Sequence, residues 1–147
     1  MLRRIGLAAT VLLVGVVFLS TAAAAVTPLS GQYVKVGTAH VRVLPGSKSV
    51  YVSITGTVGL TGVVVSLPGP VKISNGSFSY SGKTIWRYAM PPVRELPGTG
   101  TISGIFTTAK SLRLSYSLKR GGASLTKSNL TLAFSTASQA FTPPSRP

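Results

Sequence analysis

The stretch SLRLSYSLK, residues 111–119, alternates without a break: Leu112, Leu114, Tyr116 and Leu118 fall on one side, Arg113, Ser115, Ser117 and Lys119 on the other. A period of two is that of a half-buried β-strand, because successive side chains point to opposite faces of a sheet. Outward from it, TISGIFTT (101–108) precedes the strand, RGG (120–122) turns the chain, and NLTLAF (129–134) aligns Leu130, Leu132 and Phe134.

The rest of the chain repeats this pattern. SVYVSITGTVGL (49–60) places Val50, Val52, Ile54, Val58 and Leu60 on a core face, with Tyr51, Ser53, Thr55 and Thr57 opposite. VVVSL (63–67) reads as a short buried run, ended by PGP (68–70) because proline cannot donate to a ladder. VKIS leads into Asn75-Gly76, a two-residue hairpin signal, and SFSY returns with Phe78 and Tyr80 together. QYVKV (32–36) points Val34 and Val36 one way, whereas AHVRVL (39–44) continues through Val41 and Val43 with opposite parity, so Gly37 marks a turn or bulge. PPVRELPGTG (91–100) is the longest expected loop. No long amphipathic helix interrupts the alternation. The fold class is all-β: an antiparallel β-sandwich of about eight strands, with a barrel as the alternative.

A chain of 147 residues with 44% hydrophobic content sustains one ordinary domain. Its N-terminus carries Arg3 and Arg4, an apolar run from Ile5 to Leu19, and an Ala23-x-Ala25 pattern before Val26, the build of a secretory signal peptide. Retained instead of cleaved, the segment would be a membrane tether, since residues 5–26 approach the roughly 20 apolar residues that span a bilayer. The expected organisation is a signal peptide over 1–25, a β-sandwich domain over 26–135 and a flexible tail over 136–147. The expected location is secreted or in the extracytoplasmic cell envelope. With no cysteine there is neither lipobox attachment nor disulfide, and stability has to come from packing.

Fifteen Lys and Arg stand against a single acid, Glu95, for a net +14; without Arg3 and Arg4, residues 26–147 keep +12. A field of one sign attracts anionic partners: a cell-wall polymer, an acidic polysaccharide or nucleic acid. Lys35, Arg42, Arg113 and Lys119 are the candidate polyanion-binding residues, each on or near the polar side of a strand. From Lys35 to Arg146 the cations are also dispersed, with only Lys119 and Arg120 adjacent, a distribution that equally serves solubility. The shortage of carboxylates predicts a fold that tolerates acid, because acid unfolding draws mostly on paired carboxylates that become protonated.

Catalysis is disfavoured by inventory, and no cofactor is expected. The usual glycoside hydrolysis needs two carboxyl groups, metal sites need several Cys, His, Asp or Glu ligands, and thiol chemistry needs cysteine. The remaining construction, a serine with His40 as base and Glu95 as orienter, lacks a G-x-S-x-G elbow. His40 reads as a partly exposed surface histidine, and Glu95 as the partner of a neighbouring cation. KTIWRY (83–88) puts Thr84, Trp86 and Tyr88 on one face, a candidate aromatic contact for sugar rings or bases. The opposite face carries Lys83 and Arg87 around Ile85, which favours Trp86 in the core with the Tyr88 hydroxyl at its edge. The sequons at Asn75 and Asn129 are short patterns, and the first coincides with the hairpin signal.

GSFSYSG (76–82) followed by GTISGIFTTAKSLRLSYSL (100–118) resembles a pattern in an uncharacterised group of secreted envelope β-domains of actinobacteria and related bacteria. The pattern is a G-x-F strand, then I-x-G-x-F with a hydroxyl-rich turn, then an alternating strand. Leu112 and Leu114 stand where such domains often carry small residues, and the cysteine pair is missing. The resemblance implies a secreted β-domain and carries over no functional residues. Together these readings give a non-catalytic envelope or extracellular protein that binds anionic polymers through a basic surface. The alternative is a structural or adhesive subunit that contacts other proteins through strand edges.

Overall fold

The computed structural model describes residues 24–136; the expectations for the signal segment up to residue 23 and for the tail from residue 137 lie outside the described residues. Nine strands and no helix occur among them: β1 (Gly31–Lys35), β2 (Ala39–Val43), β3 (Ser49–Val58), β4 (Thr61–Ser66), β5 (Val71–Lys72), β6 (Ser77–Tyr88), β7 (Arg94–Thr108), β8 (Ser111–Arg120) and β9 (Ala123–Ser135).

Every pairing is antiparallel. β1 pairs with β2, β2 with β3, β3 with β4, β4 with β6, and β6 to β9 follow in order; β9 then returns to β1 through Tyr33 opposite Phe134. β5 lies alongside the start of β3. Eight strands therefore close into an up-and-down ring. The antiparallel all-β expectation holds, and of its two arrangements the pairing is the barrel's, in place of the favoured sandwich. Stagger is the physical reason. β3 pairs through 50–54 with β2 but through 53–58 with β4, and β4 in turn meets only 85–88 of β6. Such offsets accumulate as shear, which curls one sheet until its edges meet.

The interior is a packed core. Tyr33, Val41, Val52, Ile54, Trp86, Leu112, Leu114, Leu118 and Leu132 are fully enclosed. β7 makes room for its neighbours with glycine. A methyl group at Gly98 would lie 2.3 Å from Trp86 Nε1, at Gly100 2.6 Å from Leu118, and at Gly104 2.3 Å from the Phe78 ring. Small residues on one strand thus receive large ones from the strands beside it, as in other small barrels whose interiors are filled by side chains. This is why 94–100, expected as loop, belongs to β7: its glycines serve packing, and the connection shortens to 89–93.

Several local expectations hold. Asn75 (φ 51°) and Gly76 (φ 71°) form the predicted hairpin turn, with Ser74 and Ser77 exchanging backbone hydrogen bonds of 2.8 and 3.1 Å. Gly37 turns the chain with φ 70°. Others are corrected. Leu60 leaves the core face and is fully exposed, because Gly59 (φ 60°) ends the alternation one residue earlier. VVVSL alternates, with Val63, Val65 and Leu67 inside and Val64 outside. In β1 the core residue is Tyr33, whose hydroxyl donates to Ala109 O at 2.5 Å, whereas Val36 is exposed beyond the strand.

Antiparallel alternation gives the barrel two distinct ends. The β1–β2, β3–β4, β6–β7 and β8–β9 turns open at one end, the tip; the incoming segment, the β2–β3 and β7–β8 turns and residues 67–76 lie at the other, the base. At the base the incoming chain is pinned: Leu29 N–H donates to Ala109 O (3.1 Å) and the Ser47 hydroxyl to Pro28 O (2.8 Å). Among the described residues all strands and the hydrophobic core fall within 26–135, so a chain of residues 24–147 carries the entire barrel.

Candidate functional site

Period two in β6, β7, β8 and β9 sends the bulky side chains inward and leaves short hydroxyls outside. Register aligns them in rows. Ser79, Ser103 and Ser115 form one row, and Ser81, Thr101, Ser117 and Thr126 the next. Beyond these, Lys83, Thr99, Lys119 and Ser124 form a third row, while on the other side Ser77, Ile105, Arg113 and Thr131 close the field. Small side chains leave depressions: two shallow grooves of about 300 and 330 Å³ share Ser81, Thr101 and Ser117 and run together across the four strands. Lys127 borders the first groove and Lys119 the second.

Two identical pentapeptide patterns build this field. Ser79-Tyr80-Ser81-Gly82-Lys83 on β6 and Ser115-Tyr116-Ser117-Leu118-Lys119 on β8 are both S-Y-S-x-K. β6 and β8 run the same way on either side of β7, and the ladders bring the repeats to the same height, Lys83 level with Lys119 across Thr99. Neighbouring strands are about 4.8 Å apart, so the two lysines are spaced by about 10 Å. Arg113 and Lys119, six residues apart on one face of β8, bracket the hydroxyl rows at a separation of about 20 Å.

Hydroxyls donate and accept, so this surface can hydrogen-bond both sugar hydroxyls and anionic oxygens, with cations at its borders. No acidic side chain competes. Glu95 is the only one in the chain, and Arg87 on β6 holds it: Arg87 Nη2 bonds to Glu95 Oε1, with Nε at 3.1 Å. The expected cation partner for Glu95 is therefore the cross-strand Arg87, not the adjacent Arg94. Both groups are well exposed, and such a pair contributes little to stability.

Arg113 and Lys119 sit together on this face; Lys35 and Arg42 do not. β9 separates β1 from β8, Arg42 stands between Gln32 and Tyr51, and Lys35, exposed at the end of β1, lies two strands away from β8. Lys83 and Lys127 complete the field. The signal that identifies Lys83 is the S-Y-S-x-K repeat. Trp86 is no contact platform: it is 0% exposed, and its Nε1–H donates to Thr84 Oγ1 at 3.0 Å. Inward parity and the space left by Gly98 take it into the core, in keeping with its charged neighbours. Tyr88 stays half-buried toward the tip, with the Arg120 guanidinium 5.7 Å from its ring centroid. Asn129 (φ 55°) occupies a bulge of β9, where its N–H donates to Ser115 Oγ at 3.0 Å.

The serine–His40–Glu95 construction is not assembled. β2 and β7 are four strands apart either way round the ring, so the two side chains lie on opposite sides of the barrel. Among the described residues no three His, Cys, Asp or Glu side chains gather as a metal site would require. His40 is half-buried, and its pKa is lowered first by burial and then by the charge of Arg42. The native histidine is thus harder to protonate than the unfolded one. Between neutral pH and about pH 5 the unfolded chain binds the proton first, near the ordinary histidine value of about 6.5, and stability falls as pH falls. Urea midpoints should decline over that interval in the wild type and much less in His40→Gln. Below it, with Glu95 the one acidic side chain and its pairing with Arg87 exposed, no cooperative unfolding should occur between about pH 5 and 3 by circular dichroism.

Comparison with family models, with curated proteins and with solved structures finds no match to this chain.

Proposed function

We propose that this protein is a non-catalytic binding module of the cell envelope or extracellular space that holds an anionic polymer across the outer face of β6–β9. The observation that carries the reading is the pair of in-register S-Y-S-x-K repeats, which set out a hydroxyl field bordered by Lys83, Lys119, Arg113 and Lys127 with no acidic side chain to neutralise them. A polymer bearing both hydroxyls and anionic groups, such as a cell-wall polymer or acidic polysaccharide, matches that chemistry. Nucleic acid fits less well, because the one tryptophan is buried and the field offers no exposed aromatic face for bases to stack on. The extracytoplasmic setting rests on the N-terminal sequence and on the resemblance of residues 76–118 to secreted envelope domains.

The test is retention of residues 24–147 on immobilised heparin across a salt gradient. Lys83→Ser/Lys119→Ser is compared with Lys48→Ser/Lys72→Ser, which removes equal charge at the base of the barrel. If the two field lysines each neutralise an anionic group, their loss lowers the slope of log affinity against log salt by about two and the control much less. Equal elution of the two variants would make the charge generic and sink the reading.

A second reading, contact with other protein chains through a strand edge, draws on β9. β1 pairs with it only at 133–135, so along that edge no described strand pairs with residues 123–131. Association through this edge would be insensitive to salt.

A further inference from the structure

Away from the hydroxyl field, the tip of the barrel concentrates apolar side chains in water. Leu60 is 103% exposed, Met90 63% and Val93 62%. They occupy two connections that are joined: Ala89 N–H donates to Gly62 O at 3.0 Å, and the Thr61 hydroxyl reaches Met90 Sδ at 3.5 Å. At the same corner Arg120, the last residue of β8, stacks on Tyr88, which pairs in turn with Arg94 across the β6–β7 hairpin. Arg94, exposed, and Arg120, half-buried with its Nε enclosed, therefore stand on the strands that carry the three protruding apolar side chains or beside them. Glu95, the only acid of the chain, is occupied by Arg87.

We propose that this tip docks on an anionic lipid bilayer, with Leu60, Met90 and Val93 entering the headgroup region and Arg94 and Arg120 meeting the lipid phosphates. The shape argues for a bilayer. Side chains carried on separate turns project individually, which suits insertion among lipids. Isolated apolar contacts of this kind gain their affinity together with cations placed at headgroup level. The prolines of the 89–93 connection restrict its backbone, and neither turn carries a charge that would oppose entry. The barrel body remains outside the membrane, since its outer face on β6–β9 carries mostly hydroxyls and cations, with Ile105 its one large exposed apolar side chain.

Absence of cysteine supplies the experiment. Residues 24–147 carrying Leu60→Cys, or Ser103→Cys on the outer face as control, are labelled with an environment-sensitive fluorophore and mixed with vesicles. The vesicles are phosphatidylglycerol with phosphatidylcholine, or phosphatidylcholine alone. The expected result is a blue shift and quenching by lipid-borne quenchers at position 60 only, and only with anionic vesicles. By sedimentation, an unlabelled Leu60→Ser/Met90→Ser variant, with both changes exposed and unfolding midpoint intact, should partition about tenfold less. Binding without a shift at position 60, a shift at position 103 instead, or equal partitioning of the double variant would overturn the proposal. So would self-association without lipid that the double variant abolishes, which would assign the tip to a second copy. A shift at position 103 would place the lipid on the hydroxyl field itself; the other outcomes leave the polymer site, on another face, untouched.

Discussion

Truncation of Trp86 to alanine should destabilise the barrel by about 3–5 kcal/mol, the cost of emptying a large aromatic site in a close-packed interior. For a single domain with a net stability of about 5–15 kcal/mol, that is a substantial share of the whole. The indole is fully enclosed, its Nε1–H is satisfied by buried Thr84, and Gly98 leaves the space it fills. No simple collapse refills that space, because closed strands limit how far the walls can move. Urea unfolding followed by circular dichroism measures the loss, since the substitution removes the chain's only tryptophan. Retention on heparin by the folded fraction should stay unchanged. A loss under about 1 kcal/mol, with retention abolished, would return Trp86 to the surface as a contact residue.

A methyl group added at Gly104 is the second large effect. Its position is 2.3 Å from the Phe78 ring and 3.1 Å from Leu112, and Phe78 faces Gly104 directly across the β6–β7 ladder. Aromatic cover of a strand glycine is a known pairing device, and here the ring lies over a site with no room for Cβ. Gly104→Ala should cost about 1–3 kcal/mol through overpacking. Coupling separates this from a simple loss of strand geometry. Combined with Phe78→Leu, the alanine should cost less than it does alone, a departure from additivity expected only of residues in contact. Additive effects would show that the ring is not what excludes the methyl.

Strand content is legible in the sequence because its cause is local. β8 can be read from SLRLSYSLK alone, and the hairpin from Asn75-Gly76, since side-chain alternation and positive φ depend on few neighbours. Closure is not legible. A period of two is the same in a sandwich and a barrel, and what separates them is the stagger of β3 between β2 and β4, a relation between distant residues. Glycine misleads for a related reason. Gly98 and Gly100 read as punctuation in a loop, yet they mark where Trp86 and Leu118 need space.

The candidate site divides the same way. Arg113 and Lys119 are recognisable from the polar parity of their own strand. Lys83 is not, since its relevance arises from β6 and β8 lying in register on either side of β7. Lys35 is exposed, but β1 lies beyond β9 from the field, a placement that only closure of the ring sets. Trp86 can be placed inside from Lys83 and Arg87 beside it, even while its chemistry suggests a platform.

The meander has a consequence for the order in which the barrel is completed. Each strand of the ring but one pairs with a strand delivered shortly before it, so most of the wall can be laid down as the chain arrives. The exception is the last seam, where Phe134 must find Tyr33 about a hundred residues earlier. That step closes a long loop and comes late by necessity. Until residue 135 has arrived, β1 and β8 each present an unpaired edge, the state in which strands recruit foreign partners. β1 is short and ends on Lys35, two features that blunt an edge while it waits for its partner.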